Sequence, residues 1–164
     1  MTFNPRQRMT VESPLEPFLD AYGAVPAILR EDLQGVTEAE ATAAPRAGEW
    51  SIAQIVTHLL VVNTYALQTF AGGSGPKRGM NIMRPVPRQP LEALIETYRA
   101  AHEVVLIAMR SLPVEDWDAT RRYRTGERTG RQLLAQFVRH EYTHLRQVGE
   151  AQGNRIWNEQ FPVG

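Results

Sequence analysis

The chain contains no cysteine. That excludes disulfides, thiolate metal ligands and a cysteine nucleophile, so any catalytic sulfur would have to arrive with a small molecule. Charge of one sign is lacking as well: 18 Lys and Arg stand against 18 Asp and Glu. A balanced surface attracts no polyanion, and no nucleic-acid partner is expected. No segment reaches the roughly 18 uninterrupted apolar residues of a membrane span, and Met1 to Arg8 has no apolar core of a signal peptide. The reading is a soluble, cytoplasmic chain with no membrane partner. Convincing two-residue alternation is missing too, and there is no internal repeat, so nothing argues for a sheet or a solenoid. At 164 residues the chain is long enough to bury one core, and a single domain is expected.

What is present is helical periodicity. Residues 1–12 are polar and aperiodic, a loose arm. Ser13, Pro14 and Glu16 then read as N-cap, first helical position and capping box of a helix carrying Leu15, Phe18, Tyr22, Val25, Leu29 and Leu33 on one face. Gly23 and Pro26 interrupt it and predict a kink. A polar, Ala-rich connection over 36–49 leads to a firmer start, where Ser51 caps, Gln54 closes the box and Trp50 can staple to Ile55. This second helix runs to about Phe70, with Ile52, Val56, Leu59, Ala66 and Phe70 facing inward. The glycine-rich stretch from Ala71 lacks phosphate-binding spacing and reads as part of a long loop over 71–88, able to cross the end of a bundle or act as a lid. Pro90 opens the third helix, with Leu91, Leu94, Ile95, Tyr98, Val105, Leu106 and Met109 on its apolar face, and Leu112-Pro113 closes it. Residues 114–128 form a polar connection containing Arg121, Arg122, Arg124 and Arg128. Such a cluster is a solvated surface or, more sharply, a clamp for an anionic small molecule at a site mouth. Thr129 and Gln132 make another capping box for the last helix, which ends near Gln152. Trp157 and Phe161, in the tail over 154–164, are expected to pack back on the rest. Four amphipathic helices predict an all-α, single-domain four-helix bundle.

That last helix carries the chemistry. Leu133, Leu134, Phe137, Val138, Leu145 and Val148 mark its buried stripe, and at 100° per residue His140 and His144 share that direction. Two inward imidazoles are costly unless each finds a partner, whether backbone, water or a divalent metal. His140-Glu141-x-x-His144 also fits the zinc-peptidase string, but the extended form would need glycine at Gln147 and histidine at Glu150, and little chain remains to supply a later ligand. The third ligand is therefore sought upstream. His58, two turns into the second helix and at the edge of its buried face, is either a half-buried structural histidine or that ligand. His102 lies on the apolar face of the third helix, as a core-edge histidine, a fourth ligand or a proton shuttle. Glu141 falls inside the apolar arc, where it could pair with an arginine or backbone group, orient a ligand, or act as a base beside a metal.

Trp50-Ser51 opening a helix, His58 seven residues later, and His140-x-x-x-His144-x-x-Gln147 together resemble the DinB/YfiT-like superfamily, with Arg146 standing where that family often has glycine. The resemblance implies a four-helix bundle in which His58, His140 and His144 hold a divalent metal (Zn, Ni, Fe or Mn), and a homodimer. It also implies a metal-dependent S-transferase activating a low-molecular-weight thiol toward a small-molecule substrate. A hydrolase using metal-bound hydroxide and a non-catalytic metal-binding stress protein are the alternatives. Glu141 and His102 would be the catalytic side chains.

Overall fold

A computed structural model describes residues 14–71, 88–123 and 126–152. The expected N-terminal arm, most of the long loop, Arg124 and the C-terminal tail with Trp157 and Phe161 lie outside these residues. Four long helices dominate: α1 (Glu16–Asp32), α3 (Ile52–Ala71), α4 (Leu91–Arg110) and α6 (Gly130–Ala151). Between them lie short elements, α2 (Glu38–Thr42) and α5 (Val114–Asp118), and the strands β1 (Thr120–Tyr123) and β2 (Gly126–Thr129).

Local chemistry fixes where the long helices start. At α3 the Ser51 amide donates to Gln54 Oε1 (2.8 Å) and the Gln54 amide to Ser51 Oγ (3.3 Å). Thr129 and Gln132 make the same reciprocal pair at α6, with N···O distances of 3.0 and 3.3 Å. Both boxes were legible in the sequence. The start of α1 differs: Leu15 is its N-cap with no side-chain bond and Pro17 sits in its first turn, while Ser13, the expected cap and partner of Glu16, lies outside the described residues. Pro26 lies inside α1 without ending it. Gly23 has a packing reason, since a Cβ there would come within 3.0 Å of Leu106 Cδ2 on α4.

The helices form a ring in which α1 touches α4 and α6, and α3 touches the same two. Cross-contacts set the directions. Arg30 pairs with Glu92 and Glu96, and Arg110 with Glu16 and Asp20, so α1 and α4 are antiparallel. Tyr142 donates to the Ala21 carbonyl and Gln152 to that of Asp32, so α1 and α6 run in parallel. Trp50 lies by His144 and Phe70 by Phe137, making α3 and α6 antiparallel. It follows that α3 and α4 are parallel neighbours, with Ala71 and Leu91 at opposite ends of the bundle. Parallel neighbours require a long crossover.

All four helices share one core, in which Tyr22, Leu29, Leu59, Tyr98, Met109, Leu133, Leu134 and Leu145 are fully buried. No helix among the described residues is long and apolar enough to cross a membrane.

The connections hold more structure than the sequence suggested. Thr37 and Glu40 make a capping box for α2, and Glu38 Oε1 accepts from the Leu91 amide at the start of α4. In the arginine-rich segment, α5 seats Trp117 against Phe70, with ring centroids 5.4 Å apart. The two strands pair antiparallel from Thr120↔Thr129 to Tyr123↔Gly126. Four residues per strand are too few for alternation to register, and Gly126, at φ +114°, supplies the left-handed turn position.

Gly130 joins hairpin, α5 and α6. A Cβ there would lie 2.8 Å from Arg121 Nη1 and 3.1 Å from the Trp117 backbone. Gly130→Ala should destabilise the fold by about 1–3 kcal/mol through overpacking. The check is the urea midpoint at unchanged m value; an unaltered midpoint would contradict this close approach.

Candidate metal centre

The antiparallel seam of α3 and α6 brings three imidazoles together. His58 Nε2 lies 3.2 Å from His140 Nε2, and His144 Nε2 lies 3.1 Å from the same atom. One ring nitrogen from each falls within 4.8 Å of the others. Tetrahedral coordination at bonds of about 2.0–2.1 Å separates ligand nitrogens by about 3.3–3.4 Å. The two short separations therefore approximate the spacing that one divalent ion would need.

The donors also have the right charge state. Burial first, then repulsion from His144, pushes the His58 imidazole down to about 4. Burial, followed by His144 and His58, takes His140 down to about 3. His144 is lowered by burial, partly opposed by its bond to Gln147. All three rings are thus neutral near pH 7, as metal ligation requires. Gln147 fixes one tautomer: its Oε1 lies 2.7 Å from His144 Nδ1. An amide oxygen can only accept, so Nδ1 carries the proton and the Nε2 lone pair faces the other histidines. Trp50 covers the group, lying parallel to the His144 ring at 6.1 Å and 5.0 Å from that of His58. The side chains present could hold a divalent metal.

Opposite Trp50 the group opens into a cavity of about 130 Å³, with His58 and His140 in its wall. Val62 and Tyr65 continue that wall along α3, and Gln136 and Phe137 along α6. Tyr123 of β1 completes it, a contribution hidden from sequence reasoning because the hairpin was. Tyr65 shared a strip with His58 and Val62 on the helical wheel; Gln136, one turn before His140, was overlooked.

His102 and Glu141 lie elsewhere. Neither joins the three-histidine group. The His102 ring stacks on Tyr22 at 4.0 Å and lies 5.5 Å from Tyr98. Glu141, fully buried, accepts a 2.7 Å bond from the Tyr98 hydroxyl through Oε2, instead of meeting an arginine or a backbone group. Tyr22 donates to Asn63 Oδ1 at 2.7 Å. These residues make a polar belt across the core, and among the described residues Asn63 Nδ2, His102 Nε2 and Glu141 Oε1 have no partner. Of the arginines, Arg121 lies 5.9 Å from the Phe70 ring centroid and Arg128 donates to the Glu127 carbonyl. None of Arg121, Arg122 and Arg128 is among the described residues lining the cavity.

Ring topology and histidine group together define the class: a four-helix bundle whose interior brings together three neutral imidazoles that could hold one divalent ion. The chain belongs to the DinB superfamily, whose sequence profile matches residues 21–148. Among solved structures it is similar to YfiT from Bacillus subtilis, with a TM-score of 0.77, 15% identity and 94% of each chain covered. That protein is described as "a probable metal-dependent hydrolase with an unusual four-helix bundle topology". Comparison with curated protein sequences gives no match.

Burial pushes the Glu141 carboxyl up to about 8, opposed only by the Tyr98 bond. Unfolded, it ionises near 4.5. Between those values the folded state holds one more proton, so stability falls as pH rises, by up to about 1.4 kcal/mol per unit. The histidines have lowered values and act oppositely, losing stability only as pH falls below about 6.5. From pH 6.5 to 8, chelated protein should therefore lose stability, and Glu141→Gln should flatten the slope. Denaturant melts across that range decide it; an identical slope in the variant would refute the assignment.

Proposed function

We propose that this protein is a metal-dependent enzyme acting on a small molecule, with His58, His140 and His144 as the ligands and hydrolysis as the better-supported reaction. The observation that carries the reading is the group's one-sidedness: three imidazole nitrogens face one point, Trp50 covers one flank, and the other opens into a cavity. Structural sites are closed by four protein ligands, whereas three leave a position for a reactant. A divalent ion held there supplies Lewis acidity, lowering the pKa of whatever water or thiol it ligates. The protein's own residues do the rest. Gln147 holds His144 in the ligating tautomer, Trp50 keeps bulk water from the back of the rings, and the cavity wall positions the substrate.

Two observations favour water over a thiol as the nucleophile. The structural neighbour is described as a probable metal-dependent hydrolase. The described cavity wall also lacks any arginine or lysine that would clamp a thiol's carboxylates. Thiol transfer, implied by the family resemblance, remains the second reading. With no cysteine in the chain, that reaction would take its sulfur nucleophile from a thiol cosubstrate.

Protein purified without a nickel column and titrated with Zn, Ni, Fe or Mn should bind one ion per chain and melt at higher temperature. Single His58→Ala, His140→Ala and His144→Ala variants should each lose at least a hundredfold in affinity while staying folded. Gln147→Leu should weaken binding by about 10–100-fold, because it frees the ring orientation without removing a ligand. Unchanged affinity in the histidine variants would overturn the ligand assignment. For the reaction, an ester and amide panel assayed with and without small thiols separates the readings: thiol-independent turnover supports hydrolysis, and strict thiol dependence supports transfer.

A further inference from the structure

Chemistry at a three-histidine centre is set by the metal, but the choice of substrate is set by the space beside it. That space is a trough between the antiparallel α3 and α6. At its inner end stand His58 and His140, and Val62 and Gln136 come one helical turn further along each helix. Tyr65 and Phe137 flank the body of the trough, and Tyr123 reaches over from the hairpin. Its volume, about 130 Å³, is close to that of apolar protein cavities that accept one benzene ring, about 150 Å³.

The wall is polar at one place besides the histidines and the tyrosine hydroxyls, the Gln136 amide. Gln136 is half-buried, and among the described residues no hydrogen bond engages that amide. It lies about 6 Å along the axis from His140. No Asp, Glu, Lys or Arg is among the described lining residues. Arg121 lies over the Phe70 ring and Arg131 is paired with Asp118 at 2.7 Å. Away from the metal end, a charged group pushed into this trough would be desolvated with no counter-charge among the described lining residues, whereas a neutral amide, carbonyl or hydroxyl would meet a donor and acceptor in one side chain.

We propose that the site takes a substrate whose body is one uncharged, ring-sized apolar group, carrying a neutral hydrogen-bonding substituent that Gln136 recognises. Gln136 is then the specificity-determining residue, acting one turn from the reacting centre, and Val62 sets the width. This deepens the metal-enzyme reading and rests on it for the position of the reacting end.

The test measures binding to metal-loaded protein by calorimetry, with hydroxamates as metal-anchored probes. Benzohydroxamate should bind at least tenfold tighter than acetohydroxamate. The 4-carbamoyl derivative should bind at least tenfold tighter than the 4-carboxy derivative. Gln136→Lys should reverse that second preference, and Gln136→Leu should remove the gain from the carbamoyl group relative to 4-methyl. Val62→Phe should abolish the aryl gain with metal content intact. Equal or better binding of the carboxylate probe by the unaltered protein, or no aryl gain, overturns the proposal even though the metal centre stands. Should the protein take up no metal, the metal reading falls instead. Benzamide against benzoate, followed by NMR on the metal-free chain, then decides the trough's preference: tighter benzamide binding upholds it, and equal or reversed binding rejects it.

Discussion

Three imidazoles drawn largely out of water at one point set the terms for the structure around them. Desolvation is the largest influence on each ring, and it holds all three neutral. A neutral ring has one lone pair, and that lone pair must be aimed. Aim is a matter of helix phase, because a rotation of α6 by one residue turns His140 and His144 through 100°. The capping boxes at Ser51 and Thr129 define where α3 and α6 begin, and so which residues face the seam. The antiparallel pairing then sets His58 opposite the histidine pair. Gln147 completes the arrangement by settling where the His144 proton resides.

Behind the histidines, a second set of polar groups fixes how the helices meet. Tyr22 and Asn63 join α1 to α3 across one diagonal of the bundle, and Tyr98 and Glu141 join α4 to α6 across the other. His102 lies against both tyrosines where the diagonals cross. Such a belt is a poor source of stability. An unpaired buried polar atom costs about 1–3 kcal/mol, and Asn63, His102 and Glu141 each contribute one. Its effect is on register: the Tyr98–Glu141 bond is available in only one setting of α4 against α6, whereas leucine against leucine tolerates several. Glu141 neighbours His140 in sequence, so the register the belt selects is also the one that aims the His140 ring.

These levels were unequally legible in the sequence. Long helices with five or more periodic apolar residues were plain, as were the Ser51 and Thr129 starts, because each capping box is a local contract among four residues. The inward facing of His102, His144 and Glu141 followed from the same 100° step. What could not be read was anything requiring knowledge of the neighbour. Helix α2 is five residues long, and its Thr37–Glu40 signal was lost in an alanine-rich stretch. The hairpin carries arginine at three of its eight positions, and at that length neither strand shows a period. With the hairpin went Tyr123, and with Tyr123 the shape of the cavity. His102 and Glu141 were placed on the correct faces, but a wheel gives direction and not the identity of the helix met there, so a core partner and a place beside a metal stayed open alternatives for both.

That last distinction decides how His140-Glu141-x-x-His144 is understood. In a zinc peptidase the glutamate of this string is a general base within hydrogen-bond reach of the reacting water. In a helix, adjacent residues point 100° apart, so whether the carboxylate reaches the site depends on which side of the histidines the substrate approaches. Here the open side lies toward α3 and the hairpin, lined by Val62, Gln136 and Tyr123. Glu141 instead points toward α4, fully buried, with one oxygen on the Tyr98 hydroxyl. The same five letters that would build a peptidase on one scaffold serve here as two imidazoles for the seam and one carboxyl for the core. The parallel α1–α6 and antiparallel α3–α6 contacts, not the motif, make that division.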